Sequence, residues 1–115
     1  MEEQQTDKPY QILLAEDDRL TRTLLERTLL KAGYEVTCAE NGETALNLLE
    51  NWPSNSDSRA PSLILIDIQM PGMDGFETTR RIRHFSCYSY LPILALTADV
   101  VSGIHEAVKE AGMND

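Results

Sequence analysis

The sequence predicts an α/β domain in which a parallel β-sheet is covered by helices on both faces, the arrangement called doubly wound. The first observation is that short apolar runs alternate four times with segments whose apolar residues recur every three or four positions. Successive strand–helix units of this kind form parallel strands joined by right-handed crossovers. The second is the run LILI at 63–66, which is apolar at every position and is typical of a central strand covered on both faces. A chain of 115 residues has the length of one such domain.

The first strand–helix unit is predicted at 11–15 and 19–33. QILLA is a short apolar run that stops at a cluster of acidic residues, and Asp18 is suited to cap the helix that follows. Gly33 suits the C-terminal end of that helix. The apolar residues of the helix recur at helical spacing and predict a buried stripe made of Leu20, Leu24, Leu25, Leu29 and Ala32.

The second unit is predicted at 34–39 and 41–51, where an alternating strand precedes a helix capped by Asn41. The buried stripe of this helix is predicted to contain Ala45, Leu48 and Leu49. The segment at 52–61 then carries two prolines and three serines, which indicates a loop. A surface insertion is favoured there over a binding loop.

The third and fourth units complete the predicted sheet. Strands are predicted at 62–67 and 91–98, and helices at 74–85 and 99–112, the last of them ending at Gly112. The inward-facing side chains of these helices are predicted to be those of Phe76, Thr79, Ile82, Ile104, Val108 and Ala111. The side chains predicted to face mostly solvent are those of Arg80, Arg81 and Arg83.

Composition argues against several classes of function. Nineteen acidic and ten basic residues give a formal charge of −9, which argues against direct nucleic-acid binding, since phosphate contacts need clustered cations. No apolar run approaches the roughly 20 residues that span a bilayer, so no membrane contact is expected. The polar segment 1–9 lacks the layout of a secretory signal, which predicts a flexible N-terminus and a cytoplasmic domain at 10–115. Cys38 and Cys87 show no metal-ligand spacing and are expected to be buried or half-buried free thiols.

Polar side chains collect where the predicted strands end. Glu16 and Asp17 follow the first strand, Asp67 ends the third, and Thr97 lies near the end of the fourth. The carboxyl ends of parallel strands meet at one edge of a sheet, so these side chains converge if strands one, three and four are neighbours. Carboxylates that close repel one another, and a hard divalent cation, Mg²⁺ or Mn²⁺, relieves the repulsion. Taken singly, the acids after the first strand could instead cap a helix and Asp67 a turn. Thr97 alone could be a strand-end hydroxyl that bonds to the backbone.

A carboxylate beside Mg²⁺ and a hydroxyl suggests phosphoryl transfer. Aspartate is a known nucleophile for phosphate and forms an acyl phosphate with it. Thr97 could then bind one phosphate oxygen. The sequence contains no glycine-rich phosphate cradle, which excludes a P-loop nucleotide site.

Three segments resemble the receiver domain of two-component response regulators: ILLAEDD at 12–18, LILIDIQMPGMDG at 63–75 and PILALTA at 92–98. The resemblance extends over 10–115 and is carried by the order and spacing of the three segments together. It implies a flavodoxin-like fold of five strand–helix units with sheet order 2-1-3-4-5. The stretches MPGMDGFETTRRIR and ILALTAD further resemble the receivers of hybrid sensor histidine kinases.

The resemblance implies a phosphorelay in which a histidine kinase or a histidine phosphotransfer domain passes a phosphoryl group from its phosphohistidine to this chain. Asp67 would be the phosphoacceptor. Glu16 and Asp17 would form the acidic pair, with Asp17 the direct ligand of Mg²⁺. The main-chain carbonyl of Gln69 would be the remaining protein ligand, and Thr97 the switch hydroxyl that turns toward the phosphoryl group.

Neighbouring residues receive roles from the same resemblance. Ala98 would leave room for the switch hydroxyl, and Pro71 and Gly75 would shape the loop after the phosphoacceptor. Gln69 and Asp99 resemble the family positions that tune hydrolysis of the acyl phosphate. The domain would be a signalling module and not a turnover enzyme.

One family feature is absent from these 115 residues. The family's fifth strand carries a lysine that pairs with the phosphoryl group, but this sequence ends at Asp115, where that strand would begin. Lys109 lies within the fourth predicted helix and does not match the family lysine. The fourth strand would then be an unpaired edge, and apolar faces otherwise covered by the last helix would be exposed.

Two rival functions stay open at this point. A protein-interaction module on the same fold, without phosphorylation, is favoured by the missing lysine and opposed by the intact acidic and hydroxyl residues. A hydrolase with an aspartyl nucleophile, such as a haloacid-dehalogenase-like phosphatase, requires a second aspartate two residues after the first. This sequence has Gln69 there.

We expect the 115-residue chain to be weakly stable, or to associate through the edge of its fourth strand by strand pairing or exchange. Sedimentation velocity combined with a thermal melt checks this expectation. A single monomeric species with a cooperative melt at ordinary temperature would contradict it.

Overall fold

A computed structural model describes residues 10–52, 61–97 and 103–115. Its four strands are β1 (Gln11–Ala15), β2 (Glu35–Ala39), β3 (Leu63–Asp67) and β4 (Ile93–Leu96). Its helices are α1 (Arg19–Lys31), α2 (Gly42–Glu50), α3 (Gly75–Arg83) and α4 (Ile104–Ala111), with a short 3₁₀ turn at Ser86–Tyr88 that the sequence did not predict. The predicted N-terminal segment 1–9, most of the loop at 52–61 and the predicted start of the fourth helix lie outside the described residues.

The strands form one parallel sheet in the order β2-β1-β3-β4. This confirms the doubly wound α/β class and, for the four strands present, the order that the family resemblance implies. The chain passes from β1 to β2 in one direction and from there to β3 and β4 in the other. Right-handed connections that reverse direction put their helices on opposite faces of the sheet.

The helices are shared unequally between those two faces. α3 packs against both α2 and α4, so these three helices form one layer. α1 packs on the other face, over β1 and β2. Between the layers, the side chains of Leu13 and Leu14 are fully buried although they point to opposite faces of β1. Both faces of the central strands are therefore covered.

The predicted buried stripe of α1 is wrong in part. No residue of this helix is buried, and Leu20 and Leu24 are 68% and 55% exposed. Leu25 and Leu29 are half-buried and contribute the inward side. Among the helices that the structure describes, α1 stands alone on its face, so no neighbouring helix covers its flanks.

The remaining helix predictions are largely confirmed. Asp18 caps α1 by accepting a hydrogen bond from the Thr21 amide at 2.9 Å, and Asn41 caps α2 through the Thr44 amide at 2.7 Å. The predicted inward-facing residues that are buried are Ala45, Leu49, Thr79, Ile82, Val108 and Ala111. Those that are half-buried are Leu48, Phe76 and Ile104.

Arg83 does not project into solvent as the sequence predicted. Its guanidinium donates hydrogen bonds to the carbonyl oxygens of Gly112 at 2.9 Å and Tyr88 at 2.8 Å, and to Asn114 Oδ1 at 3.0 Å. One cation thus joins the end of α3, the 3₁₀ turn and the segment after α4. The aliphatic stem packs against Gly112, where an added Cβ would lie 3.0 Å from Arg83 Cγ.

The edge of β4 is paired at Ile93 and Ala95, which corrects the prediction of a wholly unpaired edge. The Asn114 amide donates to the Ile93 carbonyl at 2.8 Å, and the Ile93 amide donates to Asn114 Oδ1 at 2.9 Å. The Ala95 amide donates to the Asp115 carbonyl at 2.7 Å. Asn114 and Asp115 therefore lie beside the edge of β4 and hydrogen-bond to it.

The two cysteines are free thiols, as predicted, but only Cys38 is half-buried, whereas Cys87 is exposed. The prediction of burial is wrong for Cys87, which lies in the 3₁₀ turn. No helix in the described ranges has the length and apolar character needed to cross a membrane.

Replacing Arg83 with methionine is expected to lower the free energy of unfolding by about 2 kcal/mol, because several carbonyl acceptors lose a charged donor. Arg80→Met is the matched control on the same helix. Arg80 makes an exposed ion pair with Glu77 at 3.4 Å, and its loss should cost no more than about 0.5 kcal/mol. Urea unfolding of both variants measures the difference, and equal losses would contradict the structural role of Arg83.

Candidate functional site

The register of the sheet brings the predicted site residues to one edge. Ala15 pairs with Ile66, so the residues that follow them, Glu16 and Asp67, lie side by side at the carboxyl edge of the sheet. Asp67 pairs with Leu96, and Thr97 follows one position later. Because all four strands are parallel, these residues share the carboxyl edge, as the sequence predicted.

Three carboxylates form a cluster at this edge. Glu16, Asp17 and Asp67 each offer an oxygen that lies within 4.8 Å of the others. Glu16 is buried, with 6% of its surface exposed, whereas Asp17 is exposed and Asp67 is half-buried. The cluster is thus open on the side of Asp17 and closed beneath Glu16.

The cluster makes the charge on Asp67 costly. Burial raises the pKa of this carboxyl to about 7, and the neighbouring carboxylates of Glu16 and Asp17 push it in the same direction. The Gln69 amide opposes the shift by donating a hydrogen bond to Asp67 Oδ1 at 3.1 Å. The environment therefore favours a bound cation or proton at this carboxylate.

The acidic loop after β1 is held from both ends. The Asp18 amide donates to Glu16 Oε2 at 3.0 Å, which fixes the buried carboxylate. From one turn inside α1, Arg22 Nη1 donates to the Glu16 carbonyl at 2.9 Å and to the Asp17 carbonyl at 3.4 Å. Sequence reasoning did not identify Arg22, because an arginine on a helix otherwise predicts a solvated face.

The loop after β3 turns back sharply beneath Asp67. The Gly75 amide donates to the Ile68 carbonyl at 2.9 Å. A Cβ on Gly75 would lie 2.4 Å from the Asp67 carbonyl oxygen, closer than nonbonded atoms can approach. Glycine therefore lets α3 begin directly against the end of β3, while Asp74 caps that helix through the Glu77 amide at 2.9 Å.

A cavity of about 390 Å³ opens beside the carboxylates. Its lining consists of Glu16, Thr21, Leu25, Asp67, Gln69, Leu96 and Thr97. The structure thus brings Thr97 and Gln69 to the acidic cluster, as predicted. Thr21 and Leu25, which come from α1, were not predicted there, since only the packing of that helix places them. Ala98 and Asp99, also predicted at the site, lie outside the described residues.

The donor set suits a hard divalent cation. Glu16, Asp17 and Asp67 supply oxygen ligands alone, and no histidine or cysteine belongs to the group. Oxygen-only sites favour Mg²⁺ or Mn²⁺ over Zn²⁺. Because the pKa of Asp67 is raised, its ionised carboxylate is costly in the bare site. A bound cation would stabilise that ionised form.

Comparison with known proteins agrees with the fold. The sequence profile of the family described as response regulator receiver domain matches residues 12–115. The chain is 38% identical over 125 residues to histidine kinase 2 of Arabidopsis thaliana, and 35% identical over 109 residues to hybrid signal transduction histidine kinase I of Dictyostelium discoideum. The alignments cover 90% and 93% of this chain but span only 10% and 6% of those proteins.

A solved structure provides a further comparison. The receiver domain of a sensor histidine kinase from Pseudomonas aeruginosa superposes with a TM-score of 0.80 at 36% identity, covering 93% of this chain and 82% of that one. That protein is described with a magnesium ion coordinated in its active site cleft.

Asp67→Asn is expected to raise stability in metal-free buffer at pH 8 relative to the parent, and the gain should shrink toward pH 4. The folded-state pKa of about 7 lies above the value of about 4 expected for an unfolded aspartate. The parent therefore loses stability as the pH rises through this window, whereas the amide does not ionise. Thermal melts at a series of pH values measure the effect, and a gain independent of pH would contradict it.

Proposed function

Because this chain belongs to the response regulator receiver domain family, we propose that it takes part in two-component signalling by accepting a phosphoryl group on Asp67. The observation that supports this most directly is the placement of Asp67 beside Glu16 and Asp17, with their ligand oxygens within 4.8 Å of one another. The cavity next to Asp67 gives a phosphoryl donor access.

The proposed reaction is the transfer of a phosphoryl group from phosphohistidine to a carboxylate oxygen. The P–N bond of the donor breaks while a P–O bond forms to Asp67, and the electron pair of the broken bond stays on the imidazole nitrogen. The product is an acyl phosphate. Asp67 Oδ1 already accepts the Gln69 amide, so this hydrogen bond orients the carboxylate for attack.

Glu16, Asp17, Asp67 and the main-chain carbonyl of Gln69 are proposed to hold Mg²⁺ or Mn²⁺. When bound, the cation offsets the negative charge spread over the transferring phosphoryl oxygens. The buried Glu16 carboxylate, fixed by the Asp18 amide, lies at the base of the site. Asp17 is exposed and free to approach a ligand directly.

Thr97 is proposed as the switch hydroxyl. Thr97 and Asp67 line the same cavity, and a hydroxyl can donate a hydrogen bond to a phosphoryl oxygen there. Ala98 is proposed as the small neighbour that leaves room for the Thr97 hydroxyl. Asp99 is proposed as a position that tunes hydrolysis of the acyl phosphate. The side chain of Gln69 is exposed and is proposed to tune hydrolysis with Asp99.

The proposed donor is a histidine kinase or a histidine phosphotransfer domain, and the proposed location is the cytoplasm. Several relatives are histidine kinases much longer than this chain, which supports a receiver within a hybrid kinase. A receiver domain is a signalling domain. We propose that its own chemistry is limited to self-phosphorylation and slow loss of the phosphoryl group.

Asp67→Asn should abolish phosphorylation by acetyl phosphate in the presence of Mg²⁺, because an amide is not a nucleophile for phosphorus. Asp18→Asn is the matched control in the neighbouring loop, since asparagine retains the cap of α1. Intact-protein mass spectrometry, with and without EDTA, measures the phosphoryl mass gained. The parent and Asp18→Asn should both gain it with Mg²⁺ and lose most of it with EDTA.

A phosphoryl gain in Asp67→Asn would refute Asp67 as the acceptor. If neither the parent nor the control gains mass, binding of a beryllofluoride mimic with Mg²⁺ decides whether the phosphoryl site exists. Failure of that binding would favour the protein-interaction module. Multiple turnover on a phosphate ester would instead favour the hydrolase.

A further inference from the structure

We propose that Arg22 is a positioning residue for the acidic pair, which acts by holding the main-chain carbonyls of Glu16 and Asp17. This inference rests on the proposed Mg²⁺ site and adds a residue that touches neither the cation nor the phosphoryl group. Its side chain reaches back from α1 to the loop that carries the two ligands.

The acidic loop begins where the sheet ends. The Glu16 amide still donates to the Ala39 carbonyl at 3.0 Å, but the strand stops at Ala15. The carbonyls of Glu16 and Asp17 therefore need donors from outside the sheet. Glu16 is only 6% exposed, and a buried carbonyl without a partner is costly.

Arg22 supplies that donor from a fixed base. Its own amide donates to the Asp18 carbonyl at 2.8 Å, which is the first-turn bond of α1. The Asp18 side chain in turn accepts the amide and the hydroxyl of Thr21 at 2.9 and 2.6 Å. The start of the helix is thus held by these three hydrogen bonds. The half-buried guanidinium of Arg22 connects it to the carbonyls of Glu16 and Asp17 at 2.9 and 3.4 Å.

The charge of Arg22 and its hydrogen bonds have opposite effects on cation binding. A positive charge near the cluster weakens Mg²⁺ binding, whereas ordering of the loop strengthens it by reducing the entropy lost on binding. In the described part of the chain, Arg22 bonds to carbonyl oxygens and not to the carboxylates. Solvent and salt screen the charge, while the direct hydrogen bonds persist, so we infer that ordering dominates.

The test measures Mg²⁺ affinity by isothermal titration calorimetry in Arg22→Met, Arg22→Lys and the parent. Arg22→Met should bind Mg²⁺ about three- to tenfold more weakly, a fold-change that corresponds to about one typical hydrogen bond. Arg22→Lys keeps the charge without the planar guanidinium and should fall between the two. Arg27→Met, exposed on the same helix, is the control and should match the parent.

Phosphorylation kinetics with acetyl phosphate provide a second readout. In Arg22→Met the Mg²⁺ concentration giving half the maximal rate should rise by the same factor, while the rate at saturating Mg²⁺ stays within about twofold. If Arg22 only stabilised the fold, Arg22→Met would lower the melting temperature without raising the half-maximal Mg²⁺ concentration at an unchanged maximal rate. If Arg22→Met does not fold, Arg22→Lys carries the test with a smaller shift in the same direction.

The competing outcome has the opposite sign. Tighter Mg²⁺ binding in Arg22→Met with a parent-like Arg22→Lys would mean that charge dominates, and would overturn the inference. Unchanged affinity in both variants, or no Mg²⁺ binding by the parent, would overturn it as well. Calorimetry uses no phosphoryl donor, so it tests the role of Arg22 in Mg²⁺ binding by itself. A failure of Asp67 to accept a phosphoryl group would appear only in the mass-spectrometric experiment with acetyl phosphate.

Discussion

The pairing of β1 with β3 is the constraint on which the candidate site depends. Because its register sets Ala15 beside Ile66, the residue that follows each of them is a carboxylate, and the two lie side by side at the carboxyl edge of the sheet. Apolar burial along these strands maintains an arrangement of charges that repel one another. Burial, together with the neighbouring carboxylates, raises the pKa of Asp67, and a site of this kind gains most from binding a cation.

Sequence patterns were sufficient for the features that depend on local or repetitive signals. QILLA was predicted as a strand at 11–15, and β1 has those bounds. Asp18 and Asn41 were identified as caps from residue type and position alone, since a cap needs only a short polar side chain before a helix. The meeting of Asp67 with the first-strand acids followed from the rule that parallel strands share one carboxyl edge.

Features that depend on one particular tertiary contact were not predictable in the same way. Periodicity marked Leu20 and Leu24 as inward, but a helix alone on its face leaves its flanks exposed. Arg83 and Arg22 belong to a class of residue that usually faces water, yet each finds carbonyl acceptors that only the folded chain brings within reach. Composition and spacing carry no information about such distant partners.

Divergence of this sequence is confined by the contact between Gly75 and the Asp67 carbonyl. Any other residue at 75 would place a carbon 2.4 Å from that oxygen, so drift at this position is blocked by geometry and not by chemistry at the carboxylate. The exposed Gln69 and Pro71 between them meet no such barrier. Variation can therefore accumulate at these two exposed positions while the length of the loop and its last residue stay fixed, and the strand that presents Asp67 is left undisturbed.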